Sequence, residues 1–316
     1  MTRSVAVPLA RCACIDIGSN TTRLLVAEDG QARPRELFSE RAFTRLGSEL
    51  AASGQIGVRK IAEVAFVVAR QVALAREHGV VAPRIVATSA VRDARNADEL
   101  TGAVARACGI DVDILSGEDE ARLSFAGAIG MLPSPPPGKL GVVDVGGGST
   151  ELVVGSVADG VTWSVSLALG SCTVTERDLP SDPPSAAELA GLRERLARAF
   201  DGIDAPQPLT AYAVGGSATS LQALVGGTLS TETLSRGLKA LVTRPSAEIA
   251  LALGLHAERA RLLPAGLLLL DAASRALGAP LQLAGGGLRE GVVMEQLALI
   301  AAGKRSPQDD LGDPAA

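Results

Sequence analysis

Two short segments of this chain carry nearly the same arrangement of reactive groups. Ile15-Asp16-Ile17-Gly18-Ser19-Asn20-Thr21-Thr22-Arg23-Leu24 and Val143-Asp144-Val145-Gly146-Gly147-Gly148-Ser149-Thr150-Glu151-Leu152 align without a gap. In each, an apolar strand delivers an Asp, one apolar residue follows, and the chain turns on glycine and small polar residues. Glycine lets a backbone turn sharply and approach a ligand closely. Successive amides in such a turn can face one anion, with Ser and Thr hydroxyls as further donors. The candidates for phosphate contact are therefore Gly18, Ser19, Asn20 and Thr21 in the first copy. In the second they are Gly146, Gly147, Gly148, Ser149 and Thr150. Asp16 and Asp144 would repel phosphate unaided; holding Mg2+ or Mn2+, directly or through water, they would be bridged to its oxygens. One such turn reads as an ordinary glycine hairpin. Two aligned copies, each with Asp two residues ahead, point to phosphate.

The elements around each turn repeat as well. Residues Cys12 to Ile17, Arg23 to Ala27 and Arg35 to Phe43 read as three strands, followed by a helix from about Gln55 to His78 with apolar residues at helical spacing. Strand Arg84 to Thr88, helix Ala97 to Cys108, strand Asp111 to Leu115 and a helix opening near Glu118 complete a mixed α/β half. The segment Pro133-Ser134-Pro135-Pro136-Pro137-Gly138 can continue neither a helix nor a central strand. After it the pattern restarts with strands at Leu140 to Val145, Glu151 to Val154 and Thr162 to Leu169. Helices follow at Ala186 to Phe200, Ala218 to Val225 and Ala265 to Leu277. This duplication predicts two similar domains, residues 1–132 and 133–303, with a frayed polar tail over 304–316.

Composition narrows the ligand class. A chain of 316 residues with 47% hydrophobic and 21% charged residues supports two packed cores. A net charge of -5 and 2% aromatics leave neither a basic excess nor a stacking platform for nucleic acid. An anionic substrate must therefore be met by a local site of amides, arginines and metal. The most apolar stretch, Leu262 to Leu270, contains Pro264 and is too short to span a membrane. No export signal is evident, and Cys12, Cys14, Cys108 and Cys172 lack paired metal spacing, so reduced thiols and a cytoplasmic setting are expected. His78 and His256 stand alone and suggest structural or surface roles.

Further blocks make the pattern specific. They are Ala87-Thr88-Ser89-Ala90-Val91-Arg92-Asp93-Ala94, Leu115-Ser116-Gly117-Glu118-Asp119-Glu120-Ala121-Arg122-Leu123, Ser166-Leu167-Ala168-Leu169-Gly170, Val214-Gly215-Gly216-Ser217-Ala218-Thr219, Pro264-Ala265-Gly266 and Gly287-Leu288-Arg289-Glu290-Gly291. Together with the two turns, and in this order, they resemble the exopolyphosphatase and guanosine pentaphosphate phosphohydrolase family, a branch of the actin, sugar kinase and Hsp70 ATPase superfamily. The resemblance covers nearly the whole chain. It implies two ribonuclease H-like domains with the turns facing each other across a cleft. It also implies that Glu120 activates the attacking water, that Asp144 positions metal and water, that Glu151 lies near the metal and that Arg92 reaches substrate phosphate. On residue type alone Glu118, Asp119 and Glu120 equally suit a helix N-terminus, and Arg92 equally suits a surface ion pair. Arg289 and Glu290 look like a domain-closing pair, and Ala284-Gly285-Gly286 departs from the serine-containing pattern common before that block.

The function this resemblance implies is hydrolysis of terminal phosphoanhydride bonds of inorganic polyphosphate, with Mg2+ and Glu120 as base. Positioning and charge neutralisation are what phosphoryl transfer demands of a protein. Guanosine pentaphosphate is the alternative substrate. A kinase-like phosphotransferase using Gly215, Gly216 and Ser217 to hold a nucleoside, and a non-catalytic phosphate sensor, are the rivals from other classes. Longer relatives carry an additional helical domain, so a grip on long polymer is expected to be weaker here or to come from a homodimer.

Overall fold

The computed structural model describes residues 9–30 and 32–303. The tail expected at 304–316 lies outside the described residues. Strand β1 (Arg11–Ile17) pairs antiparallel with β2 (Thr22–Glu28), which pairs antiparallel with β3 (Arg35–Ala42). Helices α1 (Leu46–Ser53) and α2 (Val58–Glu77) carry the chain to β4 (Arg84–Ala87), parallel to β1. After α3 (Ser89–Arg92) and α4 (Ala97–Cys108), β5 (Val112–Ile114) adds parallel to β4. The sheet order is β3-β2-β1-β4-β5.

Helix α5 (Gly117–Gly130) leads into the second copy. It comprises β6 (Leu140–Val145), β7 (Thr150–Ser156), β8 (Gly160–Leu167), α6 (Ser171–Asp178), α7 (Ala186–Phe200) and β9 (Thr210–Val214). There follow α8 (Gly215–Val225), β10 (Thr228–Leu229), α9 (Thr231–Leu241), α10 (Ser246–Leu253), α11 (Ala257–Leu277), β11 (Leu281–Leu283) and α12 (Leu288–Ala301). Its sheet runs β10-β11-β9-β6-β7-β8. With β10 set aside, pairing and direction repeat the first sheet strand for strand. Even the irregularity recurs: the register shifts between Val26 and Ala27 on β2, and between Val154 and Gly155 on β7. The molecule is thus a two-domain α/β protein built on two ribonuclease H-like sheets.

Parallel strands in such a sheet need helices on both faces. Ala13, Ile15 and Ile17 of β1 join the core under α2 and α4, while Cys12 and Cys14 alternate onto the opposite face. That face is covered by Val292 and Val293 of α12, which follows the second sheet in sequence. Conversely, α5 follows the first sheet but packs Phe125, Ala128 and Ile129 against Leu140, Val142 and Val153 of the second. The two helices cross where a side chain at Gly127 would collide with the Gly287 carbonyl and one at Gly291 with the Leu123 carbonyl. Each half therefore lends its last helix to the other's core. Helix α11 begins at Ala257 and runs through Pro264, eight residues earlier than the sequence pattern suggests. No helix among the described residues is long and apolar enough to cross a membrane, and all four cysteines are free.

Candidate active site

Both turns close the same way. The Gly18 amide donates to the Thr21 carbonyl and the Gly146 amide to the Ser149 carbonyl, each at 3.0 Å. The next carbonyls are drawn toward helix N-termini: Ser19 O accepts from Gly47 N of α1 at 2.8 Å, and Gly146 O and Gly147 O accept from Ser171 N and Cys172 N of α6 at 2.9 Å. The amides of Ser19, Asn20, Gly147 and Gly148 are left without a hydrogen-bond acceptor among the described residues. Amides so released can serve an anion. The turns also touch. A Cβ added at Gly147 would lie 3.1 Å from Ser19 Cβ, and one at Gly148 would lie 2.5 Å from Ser19 Oγ and closer still to Ser89 Oγ. Around this meeting point is a cavity of about 230 Å³ that takes in both turns, Asp16, Glu120, Asp144 and Glu151.

The hairpin register explains why these carboxylates converge. Asp16 stands opposite Arg23 across β1 and β2, and Asp144 opposite Glu151 across β6 and β7. Directly opposed residues in an antiparallel ladder share a face, so each pair points into the cavity. Ser124 donates to Asp144 at 2.7 Å and Ser166 to Glu151 at 2.9 Å. Burial pushes all four carboxyls up: Asp16 to about 6, Glu120 to about 7, Asp144 upward and Glu151 well upward. Repulsion from Glu120 and Asp144 adds to the rise at Glu151. At Asp16, Arg289 and Arg23 oppose it. Glu120 is more than a companion to the α5 dipole, since its side chain is buried at the cavity wall.

The carboxylates expected to hold metal are Asp16, Asp144 and Glu151. Among the described residues no three His, Cys, Asp or Glu side chains are placed as a ready-made metal cage. The donors are nevertheless all hard oxygens, and Asp16 Oδ1 is buried without any partner. That suits a cation such as Mg2+, which keeps several waters and is held by one or two carboxylates together with substrate phosphate.

Positive charge comes from two residues that the sequence reading passed over and from Arg289, expected there only to close the domains. Arg23, Arg259 and Arg289 line the cavity. Burial, then repulsion from Arg289 and Arg41, lowers Arg23 to about 9. Burial and Arg41 lower Arg259, whose Nε is buried without a partner and whose guanidinium lies against Gly216. Arg289 reaches across to the Leu24 carbonyl at 3.5 Å while also lining the cavity, so it closes the halves and faces the site at once. Burial is the main cause at Arg23 and Arg259, and the added repulsion from neighbouring arginines shows cations gathered at one cavity, as a polyanion requires. Asn20 Nδ2, also buried without a partner, adds a neutral donor. Arg23 could have been found from sequence, because its place opposite Asp16 follows from the turn.

Three expected contacts fall elsewhere. Thr150 Oγ1 donates to the Leu169 carbonyl at 2.6 Å and is buried away from the cavity. Ser217 is buried against Gly266, although Gly215 and Gly216 do reach the cavity at the start of α8. Gly215 adopts φ +83, and a side chain there would collide with Asp144 Oδ1. Arg92 does not line the cavity; it pairs with Glu120 and donates to the Leu115 carbonyl at 2.7 Å. The two histidines are structural: His78 stacks on Phe38, and His256 stacks on Phe43 while accepting from Glu258 N at the start of α11.

Comparison with known proteins bears on the fold and the family. A model described as the Ppx/GppA phosphatase family matches residues 25–299. Exopolyphosphatase 2 of Mycobacterium tuberculosis is 35% identical over 229 residues, covering 68% of this chain and 71% of that protein. Exopolyphosphatase 1 of the same organism is 31% identical over 306 residues, covering 91% and 88%. The solved structure of the Ppx/GppA member from Aquifex aeolicus superposes with a TM-score of 0.78 at 28% identity, covering 95% of this chain and 100% of that one.

Proposed function

The chain belongs to the Ppx/GppA phosphatase family, and from that premise we propose that it hydrolyses the terminal phosphoanhydride bond of inorganic polyphosphate. The observation that carries this reading is the meeting of both glycine turns on one cavity that also holds Glu120 and three arginines. The mycobacterial relatives named as exopolyphosphatases support the substrate.

The terminal phosphoryl group sits on the amides of Ser19, Asn20, Gly147 and Gly148, with the next phosphates against Arg23, Arg259 and Arg289. Glu120 accepts a proton from a water as that water's oxygen bonds to the terminal phosphorus. The bridging P–O bond breaks, and its electrons leave on the shortened chain, whose growing charge the arginines offset. Mg2+ held by Asp16 and Asp144, with Glu151 nearby, would supply further charge neutralisation when bound. Arginine and metal together make the site compatible with a polyanion although the chain as a whole carries a net charge of -5.

Guanosine pentaphosphate is the second reading, favoured by the presence of Gly215, Gly216 and Thr219 in the same cavity wall. Membership in a phosphatase family sets aside the kinase-like and sensor readings. The test is phosphate release from tripolyphosphate, long polyphosphate and guanosine pentaphosphate, with Mg2+ and with chelator, for wild type and Glu120→Gln. Loss of the base should lower kcat by about 10²–10⁴-fold. Near-normal turnover of the variant on every substrate would remove Glu120 from that role.

A further inference from the structure

Helix α3 has two ends with different surroundings. Thr88 and Ser89 at its start face the cavity. Arg92 at its end does not, and lies on the far side of Glu120. One guanidinium nitrogen, Nη1, donates both to Glu120 Oε1 and to the carbonyl of Leu115, the residue just before the Ser116 cap of α5. Leu115 is itself fixed by its amide, which donates to the Ala87 carbonyl at 2.9 Å. Arg92 thus grips backbone and carboxylate together at the point where α5 begins.

Glu120 has no other side-chain hydrogen-bond partner among the described residues. Its Oε2 is left unengaged by protein, on a side chain that lines the cavity. Besides Arg92, the charges that act most on it are Asp16 and Asp144, and Glu151 is repelled by it in turn, all of like sign. Without Arg92, repulsion from three carboxylates and free rotation would carry Glu120 off its line to the attacking water. We infer that Arg92 is a positioning residue that aims Glu120 at the water and is not a ligand of substrate phosphate. The inference rests on the reading of Glu120 as general base. It assigns Arg92 a different task from the phosphate contact that sequence resemblance implies.

A kcat-against-KM split with a double-variant cycle tests this, using tripolyphosphate as substrate and inorganic phosphate as competing product. Arg92→Gln should lower kcat by about 10²-fold, the scale of a misaimed catalytic group. KM and the inhibition constant of phosphate should stay within about twofold. Added to Glu120→Gln, the Arg92 change should lower kcat no more than about twofold further, because a residue that acts only through Glu120 has nothing left to act on. Arg92→Lys should recover about tenfold of the loss, since an ammonium can reach the carboxylate but lacks the fixed planar N–H geometry with which Nη1 also holds Leu115. A tenfold rise in KM or in the phosphate inhibition constant, or a further tenfold loss in the double variant, would overturn the inference. If Arg92→Gln shows no melting transition, Arg92→Lys carries the test by the same inhibition constant. Near-wild-type turnover of Glu120→Gln alone would remove the base and this inference with it. An inactive Glu120→Gln beside a raised constant in Arg92→Gln would remove only the inference.

Discussion

Adding one carbon atom at Gly148 tests whether the two turns must meet. The new Cβ of Gly148→Ala would stand 2.5 Å from Ser19 Oγ and nearer still to Ser89 Oγ, where ordinary contact begins at 3.4 Å. Rotating Ser89 relieves the closest approach but leaves its own Cβ at 3.3 Å. Either the buried Ser19 also leaves the rotamer it holds beside Ser89, or the second turn retreats by about 1 Å from the first. A shift of that size in groups that position a reacting centre costs about 10²-fold in rate, whereas overpacking costs about 1–3 kcal/mol of stability. Phosphate release under saturating substrate should fall about 10²-fold, while a thermal melt keeps a single cooperative transition shifted by a few degrees. Wild-type kcat in a folded Gly148→Ala protein would refute the idea that both turns hold one phosphoryl group in register.

Other consequences follow from the charges in the cavity. Glu120 must be ionised to accept a proton and burial holds it up at about 7, so kcat/KM should climb about tenfold between pH 6 and pH 8; a flat profile would contradict that. Asp16, Glu120, Asp144 and Glu151 are raised in the folded protein. Their contribution to stability is complete below the unfolded values and is lost as pH rises through the folded ones. In chelator and without phosphate, the melting temperature should therefore drop between pH 5 and pH 7.5, and a rise over that interval would count against the shifts. Arg23→Gln removes one charge-assisted donor, worth about 1.5–3 kcal/mol to a charged partner. It should raise KM for tripolyphosphate about tenfold or more and weaken its dependence on salt, and an unchanged KM would place Arg23 off the substrate.

Residue order alone was enough to reveal the duplication, because each turn is a local object. An Asp, a glycine bend and the returning strand lie within ten consecutive residues, and strand period and turn chemistry operate over that distance. The same locality marked Asp16, Asp144 and both turns as candidate phosphate contacts, their shared cleft being implied only by the family resemblance, and the pairing of Asp16 with Arg23 was within its reach. Strands β9 and β11 escaped it because runs of five and three residues carry too little periodicity to stand out. Helix α11 was shortened because a proline ordinarily ends a helix, and here buried packing around Pro264 outweighs the lost hydrogen bond. What only the tertiary structure decided was which distant residues share the cavity. Arg259 and Arg289 lie more than two hundred residues from Asp16, and although Arg289 stands in the Gly287-Leu288-Arg289-Glu290-Gly291 block, nothing local shows that either reaches this cavity. Arg259 arrives on α11, packed in the second core, whereas Arg289 arrives because α5 and α12 cross between the halves, each covering the other's sheet. That exchange is settled by long-range burial of apolar faces, which a linear pattern of hydrophobic residues leaves open as to partner.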